Sequence, residues 1–211
     1  MKLLRIWSGP MSASKSEGAL QVAVRYERHN LTVVLVRPTK SRRSHELRSG
    51  TLTTKAGKSY PAIDVDSALD ITKHCETADV IWIDEPALFD QEERLFDVVA
   101  GLRKKSIILI SGLGSTSELE PFGSSMPRLM AVADQINWTK ADCDLCGSHD
   151  AATRSLYIGA ATKTEQVRVG GAESYVPSCP DCWTQLMLLE PPARRPYLAI
   201  NATAVATHAV G

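Results

Sequence analysis

Short apolar runs alternate with amphipathic stretches through the first two-thirds of the chain. Val, Ile and Leu dominate four runs, Leu3–Trp7, Leu31–Val36, Val80–Asp84 and Ser106–Ser111. Each has strand length and polar borders, so each predicts a strand. The stretches Lys15–Arg28, Ser67–Thr77 and Gln91–Lys104 predict helices. Apolar strands separated by helical segments predict an α/β fold, a parallel sheet with helices on both faces. Residues Thr39–Tyr60 are dense in Ser, Thr, Arg and Lys without apolar periodicity, and predict a long mobile loop. Past about residue 140 the period shortens, cysteine pairs appear and Gly170-Gly171 marks a turn. From Glu190, Pro191-Pro192 and an Ala/Thr-rich end predict a weakly ordered tail. The chain therefore divides into an α/β domain at 1–138, a small cysteine-bearing domain at 139–189 and a tail at 190–211.

Composition narrows the function classes. Of 211 residues, 44% are hydrophobic and 23% charged, as in an ordinary globular protein. The net charge is zero, so no bulk attraction to long nucleic acid or to an acidic membrane is expected. No apolar stretch approaches the roughly 18 residues of a membrane span. The run at Met1–Trp7 is too short for a signal peptide, and a cytoplasmic location is expected. There thiols stay reduced, and clustered cysteines bind metal more often than they pair.

Three motifs carry the chemistry. Directly after the first predicted strand come Gly9, Pro10, Met11, Ser12, Ala13, Ser14, Lys15 and Ser16. This is a phosphate-binding loop, G-x-x-x-x-G-K-[ST], with Ser14 where the second glycine belongs. Backbone N–H groups of such a loop wrap phosphates, the lysine reaches the β/γ-phosphates and the serine holds Mg²⁺. An ordinary Ser-rich strand–turn–helix is the plain alternative. Second, Val80–Asp84 followed by Glu85 is a buried strand ending in two acids, a Walker B pattern. One acid can hold Mg²⁺ and its neighbour can act as base; a helix N-cap at a strand end is the plain alternative. In one chain with the phosphate loop, the metal-binding reading is favoured. Third, Cys143-x2-Cys146 and Cys179-x2-Cys182 are two knuckles separated by residues 147–178. Four thiolates so spaced predict a tetrahedral structural Zn²⁺ site at the base of a loop, over the alternatives of two local disulfides or unrelated thiols. Cys75 stands apart as a core or surface thiol, His45 and His74 read as solvated, and His149 is given no ligand role.

Taken in order, the motifs resemble the type II thymidine kinases across about residues 3–183. The family loop reads GPMxSGKS against Gly9–Ser16. Ile110-Ser111-Gly112-Leu113 with Glu120-Pro121-Phe122-Gly123 is similar to the family's GLDxxF…PFG stretch. Gly170–Tyr175 followed by Cys179–Cys182 looks like the zinc-stapled lasso that closes over the nucleoside. The resemblance implies a P-loop ATP-binding α/β domain with a zinc-ribbon or lasso domain. It implies ATP and Mg²⁺ at Gly9–Ser16 and Asp84, with Lys15 on the phosphates. Glu85 would take the proton of the nucleoside 5′-hydroxyl, and Arg43 would stand near the phosphates. Met11, Ser117, Phe122, Val167 and Tyr175 fall at nucleoside-contact positions, the base being held largely by lasso backbone about Val167–Tyr175. A small-molecule nucleoside partner and a homo-oligomer, a tetramer by family habit, are implied.

The departures cluster in the pocket. Besides Ser14, Ser41 replaces an Asp two residues before Arg43, Ala87 a Gln after the acid pair, Gly114 the Asp of GLD and Ser117 the aromatic that stacks on thymine. The family's Thr-x-Arg becomes Thr153-Arg154-Ser155, displacing the arginine by one. Smaller pocket side chains suit a bulkier or more polar nucleoside, such as a 5-substituted pyrimidine; drift after loss of activity would produce the same change. Two other functions fit the same pattern: a catalytically silent nucleotide- or nucleoside-binding relative, and a kinase acting on a larger substrate such as a base within DNA.

Overall fold

The computed structural model describes residues 1–41, 50–159, 174–194 and 196–197. These group into two compact units. The first comprises Met1–Ser8, Ser14–Gly114 and Pro121–Trp138; the second comprises Gly9–Ala13, Ser115–Glu120 and the described part of 139–211.

In the first unit the chain runs β1 (Leu4–Ser8), α1 (Lys15–Arg28), β2 (Val33–Pro38), β3 (Thr51–Thr53), β4 (Ser59–Pro61), β5 (Ile63–Val65), α2 (Ile71–His74), β6 (Val80–Asp84), α3 (Leu95–Leu102), β7 (Ile107–Gly112), α4 (Ser125–Ala131) and β8 (Gln135–Trp138). Six of these strands form one sheet in the order β5-β2-β6-β7-β1-β8, every pair parallel. Period-2 alternation divides its side chains cleanly. Val80 and Trp82 join Leu35, Leu109 and the Ala19–Ala23 face of α1. Ile81 and Ile83 join Ile108, Ile110, Ile71, Leu95, Val99, Met126 and Leu129 on the other side. Helices thus cover both faces, as the apolar strands predicted.

The strands predicted from the apolar runs are present, each shifted by two residues or fewer at either end. Helix α1 has the predicted bounds. The segments predicted at Ser67–Thr77 and Gln91–Lys104 are shorter: each opens with a 3-10 turn, Ala68–Asp70 and Glu92–Arg94, before α2 and α3. The stretch Thr39–Tyr60 is not a single loop. Its end forms the antiparallel hairpin of β3 and β4, whose Leu52 and Tyr60 pack with Trp82; the Tyr60 and Trp82 ring centroids are 5.9 Å apart. Residues 42–49 lie outside the described set.

The second unit contains β9 (Arg154–Tyr157), β10 (Tyr175–Ser178), α5 (Pro180–Met187) and α6 (Pro191–Arg194). The two strands pair antiparallel over a small core of Leu145, Ala152, Leu156, Ile158, Val176 and Leu186. The segment from Glu190 was expected to be a weakly ordered tail, yet it begins with α6. Arg194 is buried because its guanidinium donates to three carbonyls: Nε to Leu186 and Leu189 O, each at 3.0 Å, and Nη1 to Tyr157 O at 2.8 Å. Those bonds tie the end of α5 and the residues just past it to the end of β9.

Candidate functional site

The C-terminal ends of β1, β6 and β7 lie side by side, with Ser8 opposite Gly112 and Asp84 opposite Ser111. Open parallel sheets place their ligands at this edge. After β1 the backbone turns through Gly9 (φ 154), Ser12 (φ 67) and Ser14 (φ 54). Gly9 is required twice: its φ disfavours a side chain, and a Cβ there would collide with the Thr139 carbonyl. Ser14, exposed and left-handed (φ 54, ψ 28), is the residue from which α1 starts, and its side chain makes no capping bond. A glycine would hold that conformation without strain; a serine stores about 1–2 kcal/mol. The missing consensus glycine therefore leaves the turn intact and strained.

Lys15 is buried in the first turn of α1. Beside it, the Ser16 hydroxyl donates to Asp84 Oδ1 at 2.9 Å. Asp84, itself buried, also accepts a short hydrogen bond from the Ser111 hydroxyl. The structure thus joins the phosphate-loop serine to the strand-end acid.

Glu85 comes next, in the left-handed region, φ 48 and ψ 57. Its N–H donates to Ser111 O at 2.7 Å, the last bond of the β6–β7 ladder, and its left-handed backbone then turns the chain off the strand. Pro86 then starts a 3-10 turn, Pro86–Leu88. The turn passes so close to β7 that a Cβ on Gly112 would lie 2.6 Å from Pro86 Cδ. A strained residue at a ligand edge, held by its surroundings, is a recurrent mark of function.

The corner Pro121-Phe122-Gly123 belongs to the same unit. Phe122 is buried and its N–H donates to Gly114 O at 3.2 Å. A Cβ on Gly123 would come within 2.9 Å of Ala87 Cβ, so the small residue after the acid pair faces this corner. Glu92 clamps the two serines after Gly123. Its Oε1 accepts from Ser124 N–H (2.8 Å) and Oγ (2.9 Å), and its Oε2 from Ser125 N–H (3.0 Å) and Oγ (2.7 Å). Burial works against the charge, but these four donors outweigh it and hold the carboxyl below its ordinary value of 4.5. A depressed folded value means the stabilisation is present above 4.5 and lost as pH falls below it. Glu92→Gln is expected to cost about 2 kcal/mol at neutral pH and to flatten the acid limb of the stability curve, which urea unfolding at stepped pH would record.

In the second unit, β9 presents Arg154 and Ser155 to opposite sides, as period 2 requires. Ser155 Oγ accepts from Met11 N–H at 2.9 Å. Arg154 lies over the Trp183 ring, 5.1 Å from its centroid. Trp183 Nε1 donates to Ser117 O at 3.0 Å, and the buried Ser117 hydroxyl donates to Glu118 at 2.8 Å. Ser155 thus lies against Met11 while Arg154 goes to the tryptophan. Tyr175 pairs with Tyr157 across the ladder, ring centroids 5.1 Å apart. Ile158 N–H donates to Ser174 O at 2.9 Å, one residue beyond the β9–β10 ladder.

The four knuckle cysteines converge. The sulfurs of Cys143, Cys146, Cys179 and Cys182 all lie within 4.8 Å of one another, and Cys146 and Cys179 Sγ are 3.9 Å apart. A tetrahedron with Zn–S bonds of about 2.3 Å has edges of about 3.8 Å, so the set fits zinc. Cys179 N–H points at Cys143 Sγ, 3.2 Å away. Without metal, burial pushes the Cys143 and Cys182 thiols up, while the contact with Ser148 brings Cys146 down to about 6. His149 is not among the clustered ligands; it pairs with Asp142 at 3.3 Å. Cys75 is a buried core thiol, pushed up to about 12 by burial.

Of the residues singled out from sequence, Arg43 and Val167 lie outside the described residues. The first unit holds Ser14, Lys15, Ser16, Asp84, Glu85 and Phe122; the second holds Gly9, Pro10, Met11, Ser12, Ala13, Ser117, Tyr175 and the four cysteines. Sequence reading missed Ser111, Glu92 and Ser155. Ser111 and Ser155 stand in stretches quoted for their neighbours and Glu92 in none; only pairing register and packing give each its contacts.

No described helix is long and apolar enough to cross a membrane. The family model described as thymidine kinase matches residues 2–183. The chain is 30% identical to a protein named thymidine kinase from Mycoplasma genitalium over 174 residues, 81% of this chain and 78% of that one.

Proposed function

This chain belongs to the thymidine kinase family, and from that premise we propose that it transfers the γ-phosphoryl group of ATP to the 5′-hydroxyl of thymidine or a 5-substituted pyrimidine deoxynucleoside. Membership makes it a thymidine kinase-type phosphotransferase acting on a nucleoside; the donor, the base and the residue roles are our reading. The observation that carries it is the 2.9 Å bond between Ser16 Oγ and Asp84 Oδ1. It couples a phosphate loop to a strand-end acid, the pairing that phosphoryl transfer needs for Mg²⁺.

Bound Mg²⁺ neutralises phosphate charge. The chain's own groups do the rest. Backbone N–H groups of Gly9–Ser14 and the Lys15 ammonium hold the phosphates, and Ser16 and Asp84 receive the metal. Glu85 accepts the 5′-hydroxyl proton, Arg43 adds positive charge near the phosphates, and Met11, Ser117, Phe122, Val167 and Tyr175 bound the nucleoside. Most of the rate comes from position and charge stabilisation. The knuckle cysteines hold Zn²⁺ with no open position, so its role is structural.

The test is ADP release from ATP and Mg²⁺ against a panel of deoxynucleosides including 5-substituted pyrimidines. Nucleoside-dependent ADP is expected. ATP binding with no turnover on any member would favour a silent nucleotide-binding relative. Ser14→Gly belongs in the same experiment. Relief of the left-handed serine is expected to add about 1 kcal/mol of stability and to tighten ATP binding. An unchanged midpoint in denaturant would show that the strain is absorbed elsewhere.

A further inference from the structure

Trp82 and Ser111 lie on neighbouring strands behind Asp84, and both are essentially shut off from water. Trp82 Nε1 donates to Ser111 Oγ at 2.7 Å, and Ser111 Oγ donates in turn to Asp84 Oδ1. Resting on the Mg²⁺·ATP reading above, we infer that the pair is a positioning relay which aims Asp84 at the divalent cation.

The polarity of the chain of bonds is set by donor counting. An indole nitrogen can only donate. It therefore occupies a lone pair of the Ser111 hydroxyl, whose one proton is left for the carboxylate. Ser111 is not free to rotate: its oxygen is committed on one side and its hydrogen on the other. The Ser16 hydroxyl reaches the same Asp84 oxygen from α1. A hydroxyl that donates its proton to a carboxylate keeps its lone pairs for a metal, so the bond from Ser16 is compatible with cation binding. The carboxylate is thereby fixed from two directions, by α1 and by β7, and the β7 arm is anchored in the buried Trp82 ring.

Such outer partners orient a ligand before the metal arrives, and losing one costs roughly 10–100-fold in metal affinity. Neither Ser111 nor Trp82 touches the nucleotide in this account, so their effect should appear in the metal term alone. That separates a positioning relay from a pair that merely fills the core.

The experiment uses Mn²⁺ as a spectroscopic stand-in for Mg²⁺, titrated into the zinc-loaded protein with ATP and followed by electron paramagnetic resonance. Metal-free ATP binding is measured alongside. Ser111→Ala is expected to weaken Mn²⁺ binding about tenfold while leaving metal-free ATP binding unchanged. Trp82→Phe keeps an aromatic ring in the core while removing the donor and some ring volume; a loss of about threefold in the metal term is expected, any packing cost appearing instead in the denaturant midpoint. Because the two act in series, the double variant should be no worse than Ser111→Ala alone. Additive losses, equal loss of metal-free ATP binding, or Mn²⁺ affinity unchanged in both single variants would overturn the relay. Should Ser111→Ala fail to fold, Trp82→Phe decides by the same readout. A wild-type protein that binds ATP but no Mn²⁺ beside it would overturn the metal reading, and the relay with it.

Discussion

Glu85→Gln is expected to reduce nucleoside-dependent ADP release about a thousandfold, with little change in ATP binding. Glutamine keeps the size and polarity of the side chain and removes its ability to take a proton. A glycine at the same position separates chemistry from stability. Glu85 is held at φ 48 and ψ 57, where a side chain costs about 1–2 kcal/mol and a glycine costs little. The Glu85→Gly variant should therefore be inactive and no less stable than the parent, or more stable by about 1 kcal/mol. A left-handed side chain held at this edge is consistent with a residue kept for its carboxylate. The paired measurement is kcat in the ADP assay and the urea midpoint. Full activity in Glu85→Gln would remove the base from Glu85, and a large loss of stability in Glu85→Gly would remove the strain argument.

The second large effect is loss of the zinc site. Cys143 and Cys146 precede β9, while Cys179 comes directly after β10 and Cys182 lies in the first turn of α5. A bound ion would tie these segments together around a core only a handful of side chains deep. Binding energy at a structural zinc is folding energy, on the order of 10 kcal/mol in small zinc modules. Cys179→Ser, or exhaustive chelation, is expected to empty the site and release the β9–β10 ladder that carries Tyr175. In an enzyme assay the nucleoside KM should rise at least about tenfold, the scale of a lost metal-shell contact. Lys15, Ser16 and Asp84 belong to the other unit, while Gly9–Ala13 group with the zinc unit and Met11 N–H bonds to Ser155 of β9, so ATP binding should weaken less than nucleoside binding. Metal analysis, nucleoside titration and ATP titration on one sample separate these outcomes. Undiminished nucleoside binding in the stripped protein would show that zinc does not support that site.

Much of this was legible in the sequence because it is written locally. A strand's burial shows as an unbroken apolar run, and Val80–Asp84 appears in the fold with the bounds it has in the sequence. The phosphate loop and the cysteine knuckles are short motifs whose spacing carries their geometry. The hairpin of β3 and β4 was not legible, because Ser, Thr and Lys dominate it and only Leu52 and Tyr60 face the core. Helix α6 was missed for a related reason. Its order comes from the Arg194 bonds to Leu186, Leu189 and Tyr157, and not from any periodicity of its own. Glu92 reads as one more acid on a helical stretch until the fold brings Ser124 and Ser125 to it. Ser14 is the instructive middle case. Sequence showed that a glycine was missing, and only the backbone angles show that the turn was kept despite it.

Strand β1 lies between β7 and β8, with Ile6 in register with Ile110 and Ile136. Strand β1 thus has no sheet partner until β7, Ile107–Gly112, has been made. During translation the phosphate loop at its end cannot be finished early, since both walls of β1 are still unmade. Non-local parallel pairing of this kind is slow, and it leaves an apolar strand waiting. Nucleotide cannot steer the early stages of folding in such a chain; it can only reward a sheet that has already closed.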